Sequence, residues 1–184
     1  LHAYVPEHLV DYVASVSGAE PHLFDQFLCY KRDEILIFIG YPLGEAFDEK
    51  RMESSLSFAM KHFKPRIISL MAPTISEKQA QIVQQESDSY YRLELDAFTI
   101  SLDVQTTIRR AAREIAVETG KIWSAENDSI ITEFLSTHKI PEEIQRIFAR
   151  IPEYLSSSHT ALLLNARASD GTLIAFDVAD YGSR

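Results

Sequence analysis

Residues Thr160 to Ala179 have the sequence TALLLNARASDGTLIAFDVA, in which two mostly apolar runs flank Ser169-Asp170-Gly171. An Asp-Gly pair between apolar runs is the strongest short-range signal for a β-hairpin, because these residues tolerate the positive φ angles of a tight turn. The stretch therefore predicts two antiparallel strands, Thr160–Arg167 and Thr172–Ala179.

Two helices and a strand are predicted directly before this hairpin. Ser124 is a good N-cap for a helix that runs to about His138, and Pro141 suits the first turn of the next helix. A strand-like stretch, Ala116–Trp123, precedes both helices. Helices and strands in this order predict a sheet with helices packed beside it.

The first part of the chain also alternates helices with strands. Apolar residues at helical spacing predict a helix, and short apolar runs bounded by turn residues predict a strand. In chain order, these rules predict a helix over Pro6–Ser17, strands over Phe27–Lys31 and Ile35–Gly40, a helix from the Asp48 cap to Phe63, a strand over Arg66–Met71, a helix over Ser76–Glu86, a strand over Tyr90–Leu95 and a helix from the Asp103 cap. We therefore expect an α/β (α+β) protein with a mixed sheet flanked by helices, in two halves, residues 1–98 and 99–184.

The composition is that of an ordinary folded protein, with 46% hydrophobic and 24% charged residues and a formal net charge of -9. DNA is not an expected partner, because DNA-binding proteins need clustered Lys and Arg to displace counterions. The longest strongly apolar stretch, Ile35–Ile39, is far shorter than the ~20 residues of a transmembrane helix. The single cysteine, Cys29, cannot form an internal disulfide, which favours a reducing, cytoplasmic location.

Motifs that would indicate a catalytic class directly do not occur in the sequence. It has no Walker A loop, no G-x-S-x-G elbow, no G-x-G-x-x-G turn, no H-E-x-x-H and no C-x-x-C. The 6 histidines do not pair at i, i+2 or i, i+4, so no metal site is expected, since zinc needs three or four converging ligands. Packing is a better interpretation of Cys29 than reactivity, because it lies in an apolar strand.

Two pairs of residues are candidates for substrate binding. Arg109 and Arg113 lie one turn apart on the predicted Arg-rich helix and could clamp a phosphate or carboxylate. A solvated helix face is the alternative for these arginines. Tyr90 and Tyr91 point to opposite faces of a predicted strand, so that one could line a cleft while the other packs in the core. Tyr91 is the candidate substrate contact.

The predicted hairpin supplies two more candidates. Asp177 shares a predicted strand face with Leu173 and Ala175, and a carboxylate among apolar neighbours could act as a general base. Arg167, on the other strand, is a candidate substrate contact. An ion pair between Asp177 and Arg167 across the hairpin is the alternative, and we favour it over a catalytic carboxylate.

The order of elements from Glu114 to Gly182 is similar to the opening of the GNAT acyltransferase fold, which starts with a strand, two helices and an antiparallel run of strands. The segment Gly171–Phe176 resembles the third strand of many such enzymes. The segments that match the five elements are Ile115–Trp123, Ala125–His138, Pro141–Ser156, Thr160–Arg167 and Gly171–Tyr181.

The upstream part resembles a different portion of tandem GNAT-like proteins. Tyr90–Leu95 followed by Thr107–Ala111 is similar to the join between the two halves of Fem-type and lysyl-phosphatidylglycerol-synthase-type transferases. In those proteins a degenerate first half precedes a more active second half. Ile35–Gly44 fits the central strand and turn of such a first half.

The resemblance implies a transferase that moves an acyl or aminoacyl group to an amine, with a small molecule as substrate. It implies acyl-CoA or aminoacyl-tRNA as the donor, and no metal. In this fold the acceptor pocket lies near the loop between the first two helices, which here is Thr137–Lys139. His138 is therefore the candidate base, since a histidine titrates near neutral pH.

The sequence departs from the family at the donor site. The GNAT acyl-CoA site is a Q/R-x-x-G-x-G/A turn at the start of a helix, where backbone N–H groups hold the pyrophosphate, and this sequence has no such turn. We therefore expect a second half that is truncated after its third strand. The alternative is a non-catalytic module that binds a small molecule, or that forms a homodimer through an open sheet edge.

Overall fold

The first unit of the protein is a four-stranded mixed sheet, seen in a computed structural model that describes residues 5–44, 46–75, 82–91, 93 and 98–181. Contacts divide the chain into two units, Leu1–Tyr91 and Arg92–Arg184. Across the described residues the protein is α+β, with five α-helices, this four-stranded sheet and a three-stranded antiparallel sheet. The prediction of an α+β fold is therefore confirmed, whereas the boundary at residues 98/99 stays a prediction.

The strands of the first unit follow each other across its sheet in the order β1-β2-β3-β4. β1 (Glu20–Phe24), β2 (Phe27–Arg32) and β3 (Ile35–Ile39) are antiparallel neighbours. The chain then crosses over through α2 (Glu49–Phe63), so that β4 (Ile67–Met71) pairs parallel to β3. The carboxyl ends of β3 and β4 therefore lie side by side.

Both faces of this sheet are covered, because successive side chains of the central strands point to opposite sides. On one face, Leu28 and Tyr30 belong to a buried cluster that also includes side chains from α1 (Val10–Ser17). On the other face, Cys29 and Phe38 belong to a cluster with residues of α2. Near-continuous apolar strands are what a sheet covered on both faces requires.

The ends of α2 follow the predicted signals. The Asp48 carboxylate accepts a hydrogen bond from the Arg51 backbone N–H at 3.0 Å, which confirms the predicted cap. Lys64, with a φ of 47°, ends the helix in the left-handed conformation directly before Pro65. A short 3-10 helix, Pro6–His8, precedes α1, so the helix predicted from Pro6 to Ser17 is divided in two.

Three features of the first unit differ from the prediction. β1 was not predicted, because Glu20 and Pro21 do not resemble a strand interior; a proline is tolerated here since β1 is an edge strand. Of the helix predicted over Ser76–Glu86, residues 76–81 lie outside the described residues, and residues 82–86 have no regular secondary structure. Of the strand predicted over Tyr90–Leu95, residues 92, 94 and 95 lie outside them, and residues 90, 91 and 93 are irregular.

The second unit has its sheet strands in the order β5-β6-β7, all antiparallel. The predicted turn is present at Asp170-Gly171, where Gly171 has a φ of 86° and its N–H donates to Ala168 O at 2.9 Å. The elements of this unit are α3 (Leu102–Ala111), β5 (Ile115–Gly120), α4 (Ala125–Thr137), α5 (Glu142–Ser157), β6 (Ala161–Ala168) and β7 (Leu173–Asp180).

A buried polar contact joins α4 to this sheet. The Asn127 side chain is fully buried; its amide nitrogen donates to Asn165 Oδ1 on β6 at 2.9 Å, and its oxygen accepts from the Ser124 N–H at 3.0 Å. Ser124 and Asn127 form a capping box, so the predicted cap at Ser124 is confirmed. The predicted cap of α3 at Asp103 is wrong, because Ser101 fills that position and accepts from the Val104 N–H.

Candidate functional site

Arg167 is the candidate with the most complete set of partners. From β6, its Nε donates to Glu118 on β5 at 2.8 Å, and its terminal nitrogens donate to both carboxylate oxygens of Glu126 on α4 at 3.0 and 2.8 Å. Nη1 also donates to the Gly171 carbonyl at 2.9 Å. Hydrogen bonds to Glu126 and Glu118 raise the pKa of the Arg167 guanidinium, and Arg167 in turn lowers the pKa of Glu126. An anionic substrate could bind Arg167 only by displacing one of these carboxylates.

The predicted ion pair between Asp177 and Arg167 is wrong. Arg167 lies opposite Leu173, whereas Asp177 lies opposite Leu164, further along the hairpin. A register shift between Ala166 and Arg167 places an extra residue in β7, as a β-bulge does. Arg167 is paired with the glutamates of β5 and α4 instead.

The same bulge corrects the predicted surroundings of Asp177. Ala166 pairs with Ala175 and Arg167 pairs with Leu173, so Leu173 and Ala175 lie on opposite faces of the sheet. Leu173 is buried, whereas Ala175 and Asp177 are exposed. Asp177 therefore stands on an open face in contact with solvent and lacks the apolar enclosure expected for a general base.

His138 is the C-cap of α4 and is exposed. Its Nδ1 lies 2.9 Å from the Phe134 carbonyl oxygen and 3.0 Å from Thr137 Oγ1, and its ring stacks on Phe134 with centroids 4.3 Å apart. Nδ1 is therefore within hydrogen-bond distance of two oxygen atoms, and one face of the imidazole ring packs against the Phe134 side chain. The catalytic role of His138 stays a prediction.

The two candidate arginines do not both lie in α3. α3 ends at Ala111, so Arg109 is helical, whereas Arg113 lies in the turn that leads to β5 and its N–H donates to the Arg110 carbonyl at 3.2 Å. The prediction that Arg113 is helical is therefore wrong, whereas the clamp itself stays a prediction. Arg109 is exposed and its Nη2 lies 3.3 Å from Gln105 Oε1.

Tyr90 and Tyr91 differ sharply in their surroundings. Tyr91 is 96% exposed, whereas Tyr90 is 49% exposed and donates a hydrogen bond to a Glu7 carboxylate oxygen at 3.0 Å. The Tyr90 ring also meets the Tyr41 ring edge-on, with centroids 5.7 Å apart. Neither tyrosine is in a core, since the backbone here is not a strand. The role of Tyr91 in substrate binding stays a prediction.

The five candidates of the second unit do not form one hydrogen-bond network: among the described residues, none of the five hydrogen-bonds to another through its side chain. These candidates are Arg109, Arg113, His138, Arg167 and Asp177.

Sequence reasoning missed a polar cluster at the opposite end of the hairpin. The Asp180 carboxylate accepts hydrogen bonds at Oδ2 from the buried hydroxyl of Tyr154 on α5 and from Thr160 Oγ1, the latter at 3.0 Å. Its Oδ1 is buried and has no hydrogen-bond donor within the described part of the chain. The only available signal was the alternation Phe176, Val178, Asp180 at the end of an apolar strand.

Three further properties of the described residues bear on the kind of site. No helix there has both the length and the apolar character needed to cross a bilayer. No group of three or more His, Cys, Asp or Glu side chains is arranged to hold a metal ion in those ranges. Burial raises the pKa of the Cys29 thiol to about 11, so this cysteine is not a nucleophile at neutral pH.

Comparisons with protein-family models, with curated proteins and with solved structures find no match to this chain. Any assignment of function therefore rests on the topology and on the contacts given above.

Proposed function

We propose that the protein is a GNAT-like transferase that moves an acyl or aminoacyl group to an amine acceptor. The observation that supports this proposal is the topology of the second unit. β5, α4, α5, β6 and β7 follow in chain order, and the three strands are antiparallel neighbours in the order β5-β6-β7. This is the opening arrangement of the GNAT fold, with both helices inserted between the first and second strands.

The first unit fits the degenerate half of a tandem arrangement. Ile35–Gly44 forms the central strand and turn, followed by α2 and a parallel strand. The Asp48 carboxylate occupies the start of α2, where a pyrophosphate would need free N–H groups and would be repelled by this charge. We therefore place the donor, acyl-CoA or aminoacyl-tRNA, away from this helix start.

In this proposal the residues of the second unit divide into two roles. His138, in the loop between α4 and α5, is the candidate base that removes a proton from the attacking amine. Arg167 is a positioning residue, because its guanidinium is committed to Glu118 and Glu126 and ties the hairpin to α4. The single Cys29, a buried free thiol, agrees with a reducing cytoplasmic location, which we include in the proposal.

Donor binding and transfer test the proposal directly. The protein is mixed with acyl-CoAs of increasing chain length or with charged tRNA, and the melting temperature is measured, because a ligand that binds only the folded state raises it. Release of the CoA thiol or of free tRNA is then followed with a panel of primary amines. Amine-dependent release supports the proposal, whereas no thermal shift and no release with either donor class contradict it.

A pair of histidine variants tests the assigned base. His138→Ala should lower amine-dependent release by about 100-fold or more, in the range that general bases contribute. His159→Ala is the matched control, since His159 is an exposed histidine of the same unit. Equal activity of both variants would remove His138 from the mechanism without removing the transferase proposal.

A non-catalytic module is the second candidate function, and it is favoured because no side-chain hydrogen bond joins any two of the five candidates of the second unit. Val117 is 65% exposed on the face of the β5-β6-β7 sheet that also carries Asp177, and this is the face at which we place a partner copy. For a homodimer, sedimentation velocity should show a mass that rises with concentration. Val117→Lys should abolish the dimer, whereas Ile122→Lys, at a site 85% exposed in the same unit, should not.

A further inference from the structure

A polar and aromatic cluster gathers at the carboxyl end of β3 in the first unit. Tyr41 follows β3, and its carbonyl oxygen lies 3.0 Å from His8 Nε2. Glu7 contributes twice: its backbone carbonyl accepts from the buried Tyr30 hydroxyl at 2.8 Å, and its carboxylate accepts from Tyr90 at 3.0 Å. Ligands of parallel strands bind beyond the carboxyl ends, which is where this cluster lies.

Tyr90 reaches this cluster from an otherwise exposed segment. Residues 82–91 have no regular secondary structure and every one of them is exposed. The other side-chain contacts of this described segment are local, such as Gln84 to Glu86 at 2.6 Å. Among the described residues of the segment, Tyr90 alone has a side-chain hydrogen bond or ring contact to the rest of the first unit, to Glu7 in the short 3-10 helix and to Tyr41 in the loop after β3.

We propose that Tyr90 is a latch that holds residues 82–91 as a strap on the first unit and covers the Glu7 carboxylate and the Tyr41 ring. Burial and the hydrogen bond to Glu7 raise the pKa of Tyr90 to about 12, so the phenol stays protonated and donates to Glu7 at neutral pH. Opening the latch breaks one hydrogen bond and one ring contact and leaves the bond from Tyr30 to the Glu7 backbone intact. The strap therefore opens without unfolding the sheet.

Spin-label mobility tests the latch. A nitroxide is attached at Ser87→Cys; Cys29 is fully buried with its pKa raised to about 11, so labelling is selective. Tyr90→Phe keeps the ring and removes the hydroxyl, and should increase the ratio of mobile to restricted label about fivefold, the factor that one hydrogen bond supplies. Tyr90→Ala should increase it further. Tyr91→Phe and Tyr91→Ala are the matched controls and should leave the spectrum unchanged.

Two results would overturn the latch. One is a label on Ser87→Cys, with Tyr90 and Tyr91 unchanged, that is already as mobile as a label on an unfolded peptide. The other is a Tyr91 variant that increases the mobility of the label as much as the matching Tyr90 variant does. Circular dichroism of each variant, with the label in place, shows that the fold is retained, so that a mobile label reports the strap and not unfolding.

Discussion

Arg167 on β6 binds Glu126 on α4 through two parallel hydrogen bonds, Nη1 to Oε1 at 3.0 Å and Nη2 to Oε2 at 2.8 Å. A bidentate pair of this kind fixes the relative orientation of the two side chains as well as the distance between them, because the guanidinium and the carboxylate are both planar. The pair joins two elements that are far apart in sequence, and it holds the guanidinium that the sequence offered as a substrate contact against a carboxylate of the chain itself.

Replacing Arg167 should weaken the second unit. Arg167→Lys keeps the positive charge but cannot form two parallel hydrogen bonds to one carboxylate, so the urea midpoint of this variant should be lower than that of the wild type. The midpoint of Arg167→Ala should be lower still. Arg146→Ala is the control, since Arg146 pairs with Glu142 on the exposed surface of α5, where such pairs contribute little. A midpoint for Arg167→Ala no lower than that of Arg146→Ala would contradict a structural role for the network.

Gly40 cannot be enlarged without cost. A Cβ at Gly40 would lie 2.7 Å from both Ala72 Cβ and Met52 Sδ and 3.0 Å from the Met71 carbonyl oxygen, because β3, β4 and α2 meet there. Gly40→Ala should lower the free energy of unfolding by about 1–3 kcal/mol, the usual cost of overpacking. Gly120→Ala, whose nearest neighbouring atom would be 4.0 Å away, should change it by less than about 0.5 kcal/mol. Urea titrations of both variants measure these changes in the free energy of unfolding. Equal losses would contradict the close packing of β4 and α2 against Gly40.

Asn127 should be costly to replace because its side chain is fully buried. Asn127→Ala leaves Asn165 and the Ser124 N–H without the partners described above, and we expect a loss of about 1–3 kcal/mol in the free energy of unfolding. Ser129→Ala, on the exposed face of the same helix, is the control and should cost much less. Thermal and urea unfolding measure both, and similar losses would show that burial of Asn127 adds nothing.

His8 should make the first unit sensitive to mild acid. Burial lowers the pKa of His8 in the folded protein from its ordinary value of 6.5, outweighing the raising effect of its bond to Tyr41. Below pH 6.5 the unfolded chain binds a proton that the folded chain resists, so stability is full above that pH and falls as the pH drops toward the folded-state pKa. Urea midpoints between pH 7.5 and about 5 measure this decline.

The control for this pH dependence is His8→Gln, which cannot titrate and should flatten the curve over the same range. Asp25, Glu126 and Asp170 have lowered carboxyl pKa values and respond only at more acidic pH, so their effects are separable. A wild-type curve that is already flat between pH 7.5 and about 5 would contradict the assigned shift.

Much of the fold was predictable because its signals are local. Asp48 caps α2, Ser124 caps α4, and Asp170-Gly171 turns the hairpin, each through contacts within a few residues in sequence. The strand β1 was not predicted because Glu20 and Pro21 carry no local strand signal. This strand forms because β2 offers it an edge with which to pair. Tertiary pairing overrode propensity at that position.

The sequence by itself determined the alternation of helices and strands, the caps and the terminal turn, since periodicity and capping depend on neighbouring residues. Only the tertiary structure decided which charges meet. The register of β6 and β7 places Asp177 opposite Leu164, whereas Arg167 pairs with Glu118 and Glu126, and a one-residue bulge in β7 moves Leu173 to the face opposite Ala175. Side chains in a strand alternate with a period of two, so a single extra residue reverses every later assignment of faces, and no local pattern reveals where that residue is inserted.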